Sequence, residues 1–217
     1  MDLDVYRPVQ ATPWVRTQFG FAPQHVLIGT VAFLRDYKGL DYLIEAAKLV
    51  TETHPECRFL LVGDGPERMN LLRRIHELGL SSRVVLAGFR EDIPQLVAAM
   101  DIFVVSSVEG EGLPQSLTQA MAMERPVVAT AVGSIAEVVK HEVTGLLVTP
   151  SNPAALAEQI EVLIRDQALC EKLARAGREL IVQSYSLEHM LDRTEGLYAS
   201  LLGEQDGPNG PNELHGF

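Results

Sequence analysis

Cysteine is nearly absent: the 217-residue chain has only Cys57 and Cys170, with no CxxC or metal-ligand spacing. That excludes a disulfide framework and a cysteine-built zinc site, and leaves two buried free thiols. Positive charge is also short. Eighteen Lys and Arg face 29 Asp and Glu, a formal net charge of −11, so gripping a nucleic acid or an anionic membrane is excluded as the main task. No apolar run exceeds strand length; the reading is a cytoplasmic protein with no transmembrane segment and no signal peptide. The six histidines show no HExxH or other ligand spacing, so no metal is expected.

What is present suits one α/β domain, with 47% hydrophobic and 22% charged residues. Strand-like runs recur at Val26–Leu34, Phe59–Val62, Val84–Ala87, Ile102–Val105, Pro126–Thr130 and Leu146–Val148. Helical patterns alternate with them at Leu40–Val50, Glu67–Leu78, Asp92–Met100, Pro114–Met123, Ser134–Val139 and Pro153–Arg165. Two further helices, near Ala168–Gln183 and Leu187–Leu202, close the series. The strands show little polar alternation, so both faces of the sheet are covered and the strands run parallel. Right-handed crossovers then give a doubly wound, Rossmann-like sheet whose ligands lie beyond the carboxyl ends of the strands. Residues 204–217, rich in Gly, Pro and Asn, read as a disordered tail.

The most informative segment is Ser106–Glu124, a buried strand followed by a Gly-rich loop with an acid and a helix opening at Pro114. Such a helix aims free backbone N–H groups at the mouth of a strand, where an anion such as a diphosphate would sit. Leu117, Ala120 and Met121 fall on a burying face, while Gln115, Ser116 and Gln119 face the cleft. Arg35 and Lys38 sit in the loop after the first strand, where both could reach one diphosphate and offset charge on a leaving group. Glu111 is out of place beside an anion unless it accepts hydrogen bonds from a neutral polyol, and a sugar offers them.

The pattern EGLPxxLxQAMA at Glu111–Ala122 resembles the signature of the retaining GT-B glycosyltransferases of family 4. DLDVYRP, LRDYKG, LLVGDGPER, VVLAGFREDI, MDIFVVSS, RPVVATAVGSIAEVV and TGLLVTP follow in the family's order, and the likeness spans roughly residues 2–202. The resemblance covers only the C-terminal, donor-binding half of such enzymes. It implies an interdomain linker remnant over residues 1–24, a nucleotide-sugar-binding domain over 25–203, and a missing N-terminal acceptor-binding domain in cis or in trans. Peripheral membrane contact would then come only through that other domain.

The resemblance assigns roles. Lys38 neutralises the diphosphate; the family's arginine lies five residues earlier, where this chain has Phe33, and Arg35 is its candidate replacement. Glu111 orients the donor sugar, and Gln119, where the family has a second glutamate, holds the ribose. Gly112, Leu113, Pro114 and Gln115 cradle the donor, while Gly88, Phe89 and Arg90 read the base. Glu137, on the helix after Gly133, is a further donor-side candidate. Gly63–Pro66 reads as a turn that starts a helix, and Asp2-Leu3-Asp4 as a chance DxD. The implied donor is a UDP- or GDP-linked sugar used without a metal. Two functions stay open: half of a transferase, or a separate or degenerate module that binds nucleotide sugar without transferring it.

Overall fold

The computed structural model describes residues 1–9 and 13–203. Six strands form one sheet: β1 (Val26–Val31), β2 (Cys57–Val62), β3 (Val84–Gly88), β4 (Ile102–Val105), β5 (Val127–Thr130) and β6 (Leu146–Val148). All neighbours pair in parallel, in the order β3-β2-β1-β4-β5-β6. The doubly wound sheet expected from the sequence is the observed one, and its order reverses between β1 and β4.

Helices cover both faces: α1 (Pro13–Gln18), α2 (Leu40–Thr53), α3 (Arg68–Glu77), α4 (Ile93–Ala99), α5 (Gln115–Ala122), α6 (Ile135–Val138), α7 (Pro153–Arg165), α8 (Gln167–Ser184) and α9 (Leu187–Gly203). Alternate strand residues enter different cores, which is why no polar alternation shows in the sequence. Ile28, Ile102 and Val104 pack with α2, α3 and α7. Leu27, Phe103 and Val105 pack with α1, α4, α5 and α6.

Three local differences from the sequence reading matter. β1 stops at Val31, short of Leu34, because the chain leaves the ladder to pack on the turn after β2: Leu34 N–H donates to Asp64 O and Glu67 N–H to Leu34 O, at 2.9 and 3.0 Å. A side chain at Gly63 would stand 1.9 Å from Ala32 O, so this turn serves that close backbone approach. Pro114 is the N-cap of α5, with extended backbone (φ −61°, ψ 125°), rather than a helical residue.

Within the segment expected as linker, α1 folds onto the domain. Val15 is fully buried and Phe21 nearly so. Arg16 donates to His25 O and Ala99 O at 2.6 and 3.0 Å and pairs with Asp101 at 2.7 Å, while Asp101 also accepts from Leu27 N–H at 2.7 Å. Six residues are too few to show a helical period. At the other end α9 is largely exposed, with Leu187, Met190, Leu191, Leu197, Tyr198, Leu201 and Leu202 open to solvent and His189 half-buried. The tail expectation, 204–217, lies outside the described residues. Among those residues no helix is long and apolar enough to cross a membrane.

Both cysteines are buried and free. Burial pushes the Cys57 thiol up to about 12 and the Cys170 thiol up to about 11. A thiol reagent at pH 8 should therefore find no reactive sulfur in the native chain and two after unfolding in urea, read by absorbance of the released chromophore.

Candidate functional site

The strand-order reversal puts two loops side by side at the carboxyl end of the sheet. After β1, a 3-10 turn (Asp36–Lys38) precedes α2; after β4, residues 106–113 lead to α5. Val108 N–H donates to Tyr37 O at 2.8 Å, and the Ser106 hydroxyl donates to Lys38 O at 2.9 Å. These bonds stitch the loops together and bring Lys38 to Glu111.

The Lys38 ammonium donates to both Glu111 oxygens, at 2.6 and 2.7 Å. The side chains are only 17% and 8% exposed, so the pair is largely withdrawn from water. The buried Ser107 hydroxyl donates to Glu111 Oε2 at 2.9 Å, and Thr130 Oγ1 donates to Ser107 O at 2.5 Å. An ammonium has three donors, and two are used on Glu111. The third can meet an anion while Glu111 accepts from hydroxyl groups.

The loop is also held from behind. Gly133 has a left-handed backbone (φ +52°), and a methyl there would stand 1.7 Å from Glu111 O. Only glycine permits this approach. Ser107 and Gly133 are the supporting residues that sequence reasoning did not single out. Ser107 stands four residues before Glu111 and offered a local signal, whereas the Gly133 contact is made across the sheet and offered none.

α5 begins next to this pair with no side-chain capping bond. An uncapped helix start leaves its first N–H groups without intrahelical partners, the arrangement that favours an anion. Leu117, Ala120 and Met121 are buried, Pro114 is buried, and Gly112 and Gln115 are exposed. Gln115 and Gln119 line a cavity of about 310 Å³ with Leu113, Thr118, Tyr6 and Tyr185.

Other expected residues lie apart from the pair. Arg35 is exposed and sits over the Phe33 ring at 5.2 Å. It lines a separate cavity of about 610 Å³ with Asp41, Tyr42, Glu45 and Glu109. Arg90 forms a two-pronged pair with Asp92, both bonds 2.7 Å, which holds the Asp92 carboxyl below its usual range. Gly88 ends β3 and gives its carbonyl to Gly63 N–H at 2.9 Å. Phe89 is 74% exposed. Glu137 is exposed on the short α6.

A family model described as "Glycosyl transferases group 1" matches residues 15–180. The chain is 31% identical over 189 residues to the alpha-D-kanosaminyltransferase of Streptomyces kanamyceticus, covering 86% of this chain and 48% of that protein. It is 29% identical over 197 residues to the N-acetyl-alpha-D-glucosaminyl L-malate synthase of Bacillus anthracis, covering 90% and 50%. The chain thus spans about half the length of the curated relatives it matches. Among solved structures, HepE of Anabaena in complex with UDP and glucose superposes with a TM-score of 0.84 at 30% identity, covering 92% of this chain and 55% of that one. The C-terminal domain of a glycosyl transferase group 1 family protein from Francisella tularensis gives 0.75 at 25% identity, covering 86% and 99%.

Gly133→Ala should cost about 2–4 kcal/mol, combining left-handed strain with backbone overlap. Gly110→Ala, where φ is +64° but nothing lies within 4 Å, should cost only about 1 kcal/mol. Urea unfolding of both variants checks the contrast.

Proposed function

The chain belongs to the group 1 glycosyl transferases, and we propose that it is the C-terminal, donor-binding half of a retaining enzyme that moves a sugar from a nucleotide diphosphate to a glycan or lipid-linked acceptor. The observation that carries this reading is the Lys38–Glu111 pair, placed where strand order reverses and beside the uncapped start of α5. The Francisella domain, matched over almost its whole length, supports the assignment to a C-terminal half. The UDP in HepE supports a uridine-linked donor.

In this reading the diphosphate lies against the α5 N-terminus and the third donor of Lys38. The sugar hydroxyls meet Glu111, the ribose meets Gln119, and the base reaches Gly88, Phe89 and Arg90. As the bond from the anomeric carbon to the phosphate oxygen breaks, Lys38 and the helix start stabilise the charge on the departing diphosphate. An acceptor hydroxyl then attacks from the same face, its proton passing to the departing diphosphate oxygen. Arg35 joins only if its side chain swings off Phe33.

The acceptor comes from a partner half, in cis or in trans. The exposed apolar side chains of α9, from Leu187 to Leu202, are the surface we assign to it, since water is a poor neighbour for such a stripe. Gln119 favours a second reading, a binding module that transfers nothing itself, because an amide holds ribose hydroxyls without charge assistance.

Calorimetric titration with UDP, GDP and ADP tests the donor site. Lys38→Ala should weaken the preferred nucleotide about 10- to 100-fold, the worth of a hydrogen bond to a charged group. Glu111→Gln should bind the same nucleotide as well as or better than the parent, because Lys38 is freed, yet lose the added affinity for the nucleotide sugar. A parent chain that binds none of the three sinks the proposal. The chain alone, given donor and candidate acceptors, should transfer no sugar; product in a radiolabel assay would show that no partner half is needed.

A further inference from the structure

Among the described residues, most cations near the carboxyl end of the sheet are engaged. Lys38 is held by Glu111 and Arg90 by Asp92, while Arg74, further along α3, is held by Glu45; Arg35 lies over Phe33. Arg68, the first residue of α3, donates no side-chain hydrogen bond and forms no ion pair among the described residues. Its Nη1 is buried and unpartnered. A guanidinium nitrogen taken from water without an acceptor is costly, so its placement calls for an explanation.

The surroundings narrow what the acceptor could be. Arg68 follows the Gly63–Pro66 turn at the end of β2 and reaches under the end of β3, where a methyl on Gly88 would stand 3.7 Å from Nη1. Gly88 O accepts from Gly63 N–H, and no acceptor among the described residues bonds Nη1. The next residue, Phe89, presents a ring that is 74% exposed. A guanidinium under Gly88, one residue before an open phenyl ring, suits a flat heterocycle: the ring stacks and the fork reads its edge. Distance agrees. β3 lies two strand spacings from β1, about 10 Å, so a nucleotide whose diphosphate sits by Lys38 can extend its base there but not its phosphates.

We infer that Arg68 is a base-reading residue of the donor site, bonding a ring carbonyl and so favouring uracil or guanine over adenine, which carries an amino group where guanine has its carbonyl. The inference rests on the donor-binding reading above. Nothing in the established family assignment or the sequence motifs gave Arg68 this task.

Calorimetry on the full chain separates the two. The parent should bind UDP or GDP at least tenfold more tightly than ADP. Arg68→Met, which keeps the stem and removes the donors, should lose about tenfold for the preferred nucleotide while ADP and inorganic diphosphate change less than twofold. Arg68→Lys keeps the charge and loses the fork; it should retain diphosphate binding and lose most of the base preference, and it carries the test if the Met variant melts early. An unchanged nucleotide affinity in both variants overturns the inference and leaves the donor site standing, provided Lys38→Ala still weakens binding. Equal losses for UDP, ADP and inorganic diphosphate overturn it too, making Arg68 a general phosphate cation. A parent that binds no nucleotide removes both readings together.

Discussion

The constraint on which the site depends is the short seam between β1 and β4. These strands share only the pairs Ile28↔Ile102 and Gly29↔Phe103, whereas β1 and β2 stay in register from Val26↔Cys57 to Val31↔Val62. Gly29 leaves room for the Met100 side chain against the seam: a methyl there would stand 2.3 Å from its sulfur. Beyond it the strands part, and the crevice that opens is spanned by loop contacts rather than ladder bonds. Ser106, Val108 and the Lys38–Glu111 pair are those contacts. A sheet that winds in opposite directions from its middle must leave such an opening, and here the chemistry-bearing side chains fill it.

The ion pair also explains how two opposite charges coexist in a half-dry crevice. Each would be costly to bury alone. Together, with Ser107 supplying a further bond to Glu111, they are satisfied before any ligand arrives. A ligand need not create the charged arrangement; it has only to complete it, with an anion for the unused ammonium donor and hydroxyls for the carboxylate. Support comes from behind, through Thr130 and Gly133, which belong to β5 and the loop after it.

Much of the fold was legible because its signals are local. The bounds of β4, β6 and α7 follow from their apolar runs and from Asn152 and Pro153 at the start of α7. The glycines and prolines of the loops located the others, α1 apart, to within a few residues. Long-range partners were not legible. Lys38 and Glu111 are 73 positions apart, and nothing in either neighbourhood says that one will grip the other. Arg90 could have been read better, since Asp92 stands two residues away and captures it. α1 stayed hidden because it is short and its arginine anchor finds its three acceptors in two other segments. Arg68 escaped notice for the opposite reason: what distinguishes it is a partner it does not have.

Self-neutralisation of the crevice has a kinetic consequence. With Lys38 cancelled by Glu111, little positive field projects from the site, and the chain as a whole carries −11. In the donor-binding reading proposed above, a nucleotide diphosphate, itself an anion, is repelled at long range and attracted only on contact. Added salt screens the long-range repulsion, over about 10 Å at 0.1 M, more than it disturbs the buried pair. Encounter should quicken with ionic strength even as the surface contacts weaken, the reverse of a site that draws its ligand in by electrostatic steering.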